Sequence, residues 1–242
     1  ALRPTLADTG GHCLFIGTPK SFNHLYEAYI QGQDPDKRRA NIWRSWQFPT
    51  ITSPFIPDHE IAAAQADMDE KSFKQEFEAS FETMSGRVYY PFDRNIHVGA
   101  KYKFNPDLPV WVGQDFNVDP MAGAIMQPQP NGEIWIVDEI VLFGSNTEEA
   151  VDELERRYWR HRDKFTIYPD PASRQRKTSA GGFTDLAILK NAGFEVKARS
   201  QHPLIRDRIN AVNSKLKNAN GMSSLFITKS CKNLIKSLER QI

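Results

Sequence analysis

Cysteine, long apolar runs and an excess of one charge are all missing from this sequence. Cys13 and Cys231 are its only cysteines in 242 residues, so no disulfide framework is expected, which fits a reducing compartment. No apolar run approaches about 18 residues and no signal peptide opens the chain, so we expect a soluble intracellular protein. A formal net charge of +1 indicates no partner by itself. With 25% charged and 40% hydrophobic residues, the composition is that of a globular protein with one large domain, or one and a half.

The most informative stretch begins at Val110. Its first residues have the β-branched and aromatic composition of a buried strand, and alternation places Trp111, Gly113 and Asp115 on one face. An acid at the end of an apolar strand is costly to bury alone, so Asp115 either caps a turn or meets a metal ion or a basic partner. A second strand, 165–168, is also followed by an acid, Asp170, and this repetition favours a metal or basic partner over turn capping.

The N-terminal region reads as a core strand at 13–16, a turn at 17–20 and a helix with Leu25, Tyr26 and Tyr29 as its apolar stripe. The turn resembles a phosphate loop only at its end, because Leu14 and Pro19 occupy the two positions that require glycine. We therefore expect this chain alone neither to bind ATP tightly nor to hydrolyse it.

A helical region is predicted from Asp58, as N-cap, to about Phe81. Its phenylalanines at positions 73, 77 and 81 are expected in the core. Glycine and proline make 82–105 the best linker candidate. The predicted domains are therefore 1–88 and 104–242.

The second half is more regular. Strands at 110–116, 121–126 and 134–142 are joined by short loops and predict an antiparallel meander. Ser145 and Glu148 predict a capping box for the next helix. Further elements are predicted in the order strand 165–168, helix 183–191, strand 194–198, a helix with Ile205, Ile209, Val212 and Leu216 as its stripe, and strand 225–228. This order predicts an α/β fold with a ribonuclease-H-like mixed sheet and helices on both faces.

In that topology the first and fourth strands are parallel neighbours, so Asp115 and Asp170 would stand side by side at their carboxyl ends. Adjacent carboxylates repel each other unless a cation lies between them, and Mg²⁺ or Mn²⁺ prefers such oxygen ligands. Paired ions can activate water and stabilise the leaving oxygen of a phosphodiester. A calcium loop starting at Asp115 is excluded, because Pro120 and Met126 replace its required glycine and glutamate.

Basic residues concentrate after Asp170. Between Arg174 and Lys217 there are ten Lys or Arg residues and three acids, a local charge of +7 in a chain of +1. Arg174, Arg176 and Lys177 come first, which predicts contact with a nucleic-acid backbone. The alternative is an ordinary solvated basic face.

Several motifs, in this order, are similar to phage terminase large subunits. Residues 14–29, LFIGTPKSFNHLYEAY, resemble the end of that family's ATPase domain, and GQDFNVDPMAGAIM, IWIVDEIVL and FTIYPDPAS resemble the start of its nuclease domain. The resemblance covers nearly the whole chain. It implies that a smaller α/β remnant of a P-loop ATPase domain precedes the nuclease domain, and that Gly17, Thr18 and Pro19 form the ATPase-coupling motif.

The resemblance also implies a metal-dependent endonuclease with three acidic ligands, two of which match Asp115 and Asp170. The family's third ligand lies further downstream than Ile242, so we expect a fragment of a longer motor protein or a decayed gene. Glu139 or Asp207 could complete the site, although Asp207 should face solvent and pair with Arg206 or Arg208, themselves possible DNA contacts. Implied cofactors are Mg²⁺ or Mn²⁺, with two ions, and ATP only in the intact parent protein. Implied partners are double-stranded DNA, the small terminase subunit and the portal protein, in the host cytoplasm.

Three functions stay open at this point. The first is an endonuclease that cuts concatemeric viral DNA during packaging. The second is a ribonuclease-H-like recombinase or transposase, which would have no reason to carry the Gly-Thr-Pro region. The third is a non-catalytic DNA-binding or assembly module in which Asp115 and Asp170 are structural.

Overall fold

The computed structural model describes residues 6, 9–20, 23–82, 86–116, 119–170, 184–199, 201 and 203–242. The chain divides into two compact units, Ala1–Ser85 and Gly86–Ile242. The described elements of the first unit are helices α1 (His24–Gln33), α2 (Pro35–Arg39), α3 (Asp58–Asp67) and α4 (Glu70–Phe77), and a 3-10 turn at Thr50–Thr52.

The helical region predicted from Asp58 to Phe81 is interrupted. Asp58 is the first residue of α3 rather than its cap, since Pro57 occupies the N-cap position. α3 ends at Asp67 with Met68 as its C-cap, and Asp69 caps the start of α4 by accepting a hydrogen bond from the Ser72 amide at 3.2 Å. Phe73 is buried and stacks on Phe77 with ring centroids 5.0 Å apart, so these two phenylalanines pack as expected.

The core strand predicted at 13–16 is wrong. Residues 11–19 are irregular, and Leu14 and Ile16 are 73% and 87% exposed. Among the described residues of this region only Lys20 forms a β-bridge, with Glu82. Apolar composition alone does not make a strand, because the backbone also needs a neighbouring strand with which to exchange hydrogen bonds.

The second unit is built on a seven-stranded sheet with the order β1-β7-β4-β3-β2-β5-β6. Its strands are β1 (Val98–Gly99), β2 (Val110–Asp115), β3 (Met121–Pro128), β4 (Ile134–Leu142), β5 (Phe165–Pro169), β6 (Glu195–Val196) and β7 (Leu225–Thr228). Its helices are α5 (Arg94–His97), α6 (Thr147–Tyr158), α7 (Asp185–Asn191), α8 (Ile205–Leu216) and α9 (Lys232–Arg240), with a 3-10 segment at Trp159–Lys164.

The strand pairing confirms the predicted ribonuclease-H-like fold. β2, β3 and β4 are successive antiparallel neighbours, while β5 lies on the other side of β2 and parallel to it. β6 extends the sheet parallel to β5. Because β3 is the fourth of seven strands, β2 lies one place from the centre of the sheet.

Helices cover the sheet on both faces. On one face, Val112 of β2, Ile125 of β3 and Ile167 of β5 are fully buried in a cluster that also includes Leu154 of α6 and Leu189 of α7. On the opposite face, a second cluster joins β4 and β7 to α8 and α9 through residues that include Ile136, Leu216, Ile227, Ile235 and Leu238. The first face is therefore packed along β2 and β5, and the second cluster lies towards β4 and β7.

Two local predictions differ from the structure. Residues 86–105 of the stretch predicted as a linker belong to the second unit, where Phe92, His97 and Tyr102 are buried and β1 pairs with β7. The capping box of α6 lies one residue later than predicted and consists of Asn146 and Glu149. Adjacent Ser, Asn and Glu residues allow either register, and the burial of Thr147 at the first position of α6 accompanies the observed one.

Candidate metal centre

Asp115 and Asp170 lie at the carboxyl ends of two adjacent parallel strands. Residue pairing runs from Val110 with Phe165 to Gln114 with Pro169, and the Asp170 amide continues it by donating to the Gln114 carbonyl at 3.0 Å. The two aspartates are thus the next pair in register, with backbones about 4.8 Å apart, the usual spacing of neighbouring strands. Asp115 is exposed and Asp170 is half-buried.

Alternation puts both aspartates on the same face of the sheet. Val112 and Ile167 point into the core between the sheet and α6 and α7. Gly113 and Asp115 on β2, Tyr168 on β5 and Asp170 directly after β5 therefore point the opposite way. Two carboxylates side by side with solvent access form a donor set that fits a hard divalent cation. The structure thus brings together the pair that the sequence predicted.

Gln114, which directly precedes Asp115 on β2, holds the end of this strand in place. Gln114 is buried on the core-facing side, and its amide nitrogen donates to the Asp115 carbonyl at 3.2 Å. Gly123 is its partner on β3, where an added Cβ would lie only 2.7 Å from the Gln114 Oε1. Glycine at position 123 therefore makes room for the side chain that holds the backbone of Asp115.

An aromatic pair that the sequence did not single out shares the face with the aspartates. Trp111 and Tyr168 come from neighbouring strands, and their rings meet edge to face with centroids 6.3 Å apart. Tyr168 is 39% exposed and lies two residues before Asp170. Alternation along β2 predicts from the sequence that Trp111 shares a face with Asp115. Only the register between β2 and β5 shows that Tyr168 lies on that face as well.

Glu139 has a structural partner in α9. Its Oε1 accepts hydrogen bonds from the Asn233 amide at 3.0 Å and the Asn233 side chain at 3.1 Å, and its Oε2 accepts from the Leu234 amide at 2.8 Å. The residue at the N-cap position, Cys231, makes no such bond, so Glu139 supplies the cap from β4. Glu139 also pairs with Ala124 and so lies two strands, about 10 Å, to the side of β2.

The neighbouring Asp138 points to the other face, as alternation predicts. It accepts hydrogen bonds from Arg157 at 2.7 Å and from the Tyr158 hydroxyl at 2.8 Å, both on α6. Burial, more than Asp138 itself, raises the pKa of Tyr158 far above its usual range. Asp138 and Glu139 thus attach β4 to helices on opposite faces of the sheet.

Three more of the predicted site residues lie on α8. Asp207, Arg206 and Arg208 are exposed in the first turn of α8, as expected for Asp207, but Ile205 of the predicted apolar stripe is also 67% exposed. Only the far end of α8 is well buried, at Asn213 and Leu216, where it packs near β7. Among the described residues, no group of three or more His, Cys, Asp or Glu side chains is placed to hold one ion.

Other predicted functional residues lie elsewhere. Arg174, Arg176 and Lys177 fall outside the residues that the structure describes. In the first unit, Gly17 is exposed, Thr18 is half-buried and Pro19 is buried in the irregular segment before Lys20. Within the described part of the chain, no helix combines the length and the apolar character needed to cross a membrane.

No protein-family model matches the chain. The terminase large subunit of Escherichia phage T5 is 30% identical over 110 residues, which cover 44% of this chain and 24% of that protein.

Among solved structures, the large terminase of a thermophilic bacteriophage matches 92% of this chain and 53% of its own, with a TM-score of 0.66 and 17% identity. The same protein in complex with ATP-gamma-S matches with a TM-score of 0.63 and 16% identity, over 95% and 55% of the two chains. The chain thus spans about half the length of this solved relative and a quarter of the curated one. In both sequence and fold it is similar to terminase large subunits, which confirms the resemblance drawn from its motifs.

Proposed function

We propose that residues 86–242 form a metal-dependent nuclease domain of a viral DNA-packaging motor, with Asp115 and Asp170 as its metal ligands. The observation that carries the proposal is the register of β2 and β5. It brings two carboxylates together at the carboxyl ends of these strands, which is where open α/β sheets bind ligands. The similarity to terminase large subunits supports DNA as the substrate.

Each residue of the site has a distinct task in this proposal. The parallel ladder holds the two aspartates at strand spacing, and Gln114 fixes the backbone at Asp115. Divalent ions held there, two in the endonuclease mechanism, would supply an activated water and stabilise the leaving oxygen of the phosphodiester. Tyr168 and Trp111 offer ring faces and edges on the same side of the sheet to the nucleotides next to the cut.

Further contacts are proposed from the sequence alone. Arg174, Arg176 and Lys177 follow Asp170 and would hold the DNA backbone, joined by Arg206 and Arg208 on α8. Asp207 is proposed as the third ligand on the sequence alone, since the described structure does not group it with Asp115 and Asp170, whereas the hydrogen bonds of Glu139 favour helix capping. The small terminase subunit, the portal protein and ATP belong to the proposal for the intact motor.

Metal-dependent stability tests the site without relying on activity. A metal that binds only the folded state raises its stability by RT ln(1 + [L]/Kd), about 2.7 kcal/mol at a hundredfold excess over Kd. We expect Mn²⁺ or Mg²⁺ to raise the melting temperature of the wild-type chain, and Asp115→Asn and Asp170→Asn each to abolish that rise. Asp107→Asn, which removes an exposed acid from the loop before β2, is the matched control and should respond like wild type.

Cleavage of plasmid DNA with Mn²⁺ provides the second measurement. We expect Asp115→Asn to lose cleavage while its circular dichroism spectrum stays unchanged. If wild type binds the metal and DNA but never cuts, the non-catalytic DNA-binding module is the better assignment. Cleavage by Asp115→Asn at the wild-type rate would show that these two acids are not the catalytic pair.

A further inference from the structure

Three arginines surround an open cavity in the first unit. The cavity has a volume of about 310 Å³ and is lined by Arg38, Arg39, Arg44, Ser45 and Trp46. All three arginines are exposed, and Trp46 is 62% exposed. A volume of this size is at the lower end of the range for small-ligand sites.

One wall of the cavity is held in place by α1. Gly32 of α1 approaches the backbone of Arg44 and Ser45 so closely that an added Cβ would lie 2.4 Å from the Ser45 amide nitrogen. The Ser45 hydroxyl donates to the Tyr29 carbonyl at 2.7 Å, and the Gln33 amide donates to the Ser45 hydroxyl at 2.8 Å. Arg44 and Trp46, on either side of Ser45, are therefore presented from an anchored backbone.

The opposite wall is the carboxyl end of α2. Asp34 starts this helix by accepting hydrogen bonds from the Asp36 and Lys37 amides, with Pro35 in its first turn. Asn41 then reverses the chain with a left-handed φ of 54°, and the Ile42 amide donates to the Lys37 carbonyl at 3.0 Å. This turn brings the arginines of α2 to face the segment that carries Arg44.

The charges of the cavity are only partly balanced. Arg39 lies 3.7 Å from Asp36, but both side chains are mostly exposed, so this pair contributes little. Within the described part of the chain, Arg38 and Arg44 take part in no ion pair. Three guanidinium groups around one space repel each other, and an anion between them would relieve that repulsion.

We propose that this cavity binds the phosphate group of a nucleotide, with the base stacked on Trp46. A guanidinium group can donate two parallel hydrogen bonds to a phosphate, and an exposed indole ring can stack on any of the bases. The nucleotide can be free or part of a nucleic-acid strand, since both offer the same phosphate and base. The site is separate from Asp115 and Asp170 and does not depend on the proposed nuclease function.

Binding of a fluorescently labelled single-stranded oligonucleotide to the full chain tests this site. Fluorescence anisotropy is measured over a series of salt concentrations with EDTA present, so that no metal takes part. Each phosphate contact with a single strand contributes about 0.7 to the slope of log K against log salt. We therefore expect Arg38→Gln and Arg44→Gln each to weaken binding and to reduce that slope by about 0.7.

Arg160→Gln is the matched control. Arg160 is also an exposed arginine next to an exposed tryptophan, lying 5.2 Å from the ring centroid of Trp159, but it is not one of the residues that line this cavity. It should leave the slope unchanged. Trp46→Ala should weaken binding of the oligonucleotide by at least about fivefold, without affecting an abasic strand of the same length.

Competition identifies the natural source of the phosphate. Displacement by a deoxynucleoside monophosphate, but not by inorganic phosphate at the same ionic strength, supports a free nucleotide as ligand. Displacement only by unlabelled oligonucleotide supports a strand.

Exposed Arg→Gln changes should leave the fold intact, as thermal melting can verify. Unchanged slopes for both arginine variants, or an equal loss with Arg160→Gln, would overturn the site.

Discussion

Glu153 on α6 is held between two arginines. Arg156 donates two hydrogen bonds to its carboxylate, both at 2.7 Å, and Arg157 donates a third at 2.6 Å. These interactions lower the pKa of Glu153 to about 2, and the hydrogen bond from Arg156 makes the largest contribution to that shift. Arg157 also reaches Asp138, so the same residues attach α6 to β4 behind the proposed metal centre.

The lowered pKa predicts how stability depends on pH. The folded-state pKa lies near 2, below the usual value of 4.5, so the stabilisation is complete above about 4.5 and is lost as pH falls towards 2. At pH 7 we expect Glu153→Gln to lower the free energy of unfolding by about 1 kcal/mol, since one arginine is largely exposed and water screens it.

Urea unfolding at pH 7, 4 and 3 measures this effect. The difference between wild type and Glu153→Gln should shrink at each step. Glu148→Gln is the control. It removes the same charge from an exposed position on the same helix, where only the weaker interaction with the helix dipole is lost. A Glu153→Gln difference that stays constant down to pH 3 would contradict the assignment.

At the scale of elements, Glu139 and α9 form one structural unit. The carboxylate of Glu139 satisfies amides at the start of α9, which buries Ile235 and Leu238 against the sheet. We expect Glu139→Gln to destabilise the fold by about 1 kcal/mol, because an N-terminal charge and one acceptor are lost.

The same variant also decides between the two roles proposed for Glu139. A helix cap predicts lower stability in urea with an unchanged Mn²⁺-induced rise in melting temperature. Asp115→Asn should show the reverse pattern, with loss of the metal effect and little change in stability without metal. Loss of the metal effect in Glu139→Gln would instead make Glu139 a ligand.

Elements that carry their own pattern could be predicted from the sequence. In β2 and β3 buried residues alternate with more accessible ones, and short loops fix the antiparallel pairing of β2, β3 and β4. The apolar run of β5 predicts a strand that ends at an acid. The ribonuclease-H-like order of elements then predicts that Asp170 lies beside Asp115, as the pairing of β2 with β5 shows. This part of the site follows from local sequence and topology together.

What the sequence missed depends on contacts between distant residues. Residues 13–16 are apolar but lack a strand ladder in the described structure. Phe92, His97 and Tyr102 are buried although turn residues surround them in the sequence, and Val98 and Gly99 between them pair with β7. The cap of α9 comes from Glu139, which is 94 residues away from Asn233. No local rule detects a cap or a core contact whose partner is that far along the chain.

At the scale of the molecule, the two units differ in how much apolar surface they bury. Both core clusters of the described structure lie within residues 92–238. In the first unit Phe73 is buried, whereas Leu14, Ile16, Trp46, Phe48 and Phe55 are largely exposed. Since burial of apolar surface is the main source of folding free energy, the stability of the chain should reside in residues 86–242.

We therefore expect residues 86–242, produced alone, to unfold in urea in one cooperative transition with a midpoint close to that of the full chain. They should keep the Mn²⁺-induced stabilisation that depends on Asp115, and lose the part of oligonucleotide binding that depends on Arg38 and Arg44. Residues 1–85 alone should show no cooperative transition, because they bury too little surface. A clearly lower midpoint for 86–242 would mean that the first unit contributes to the stability of the second.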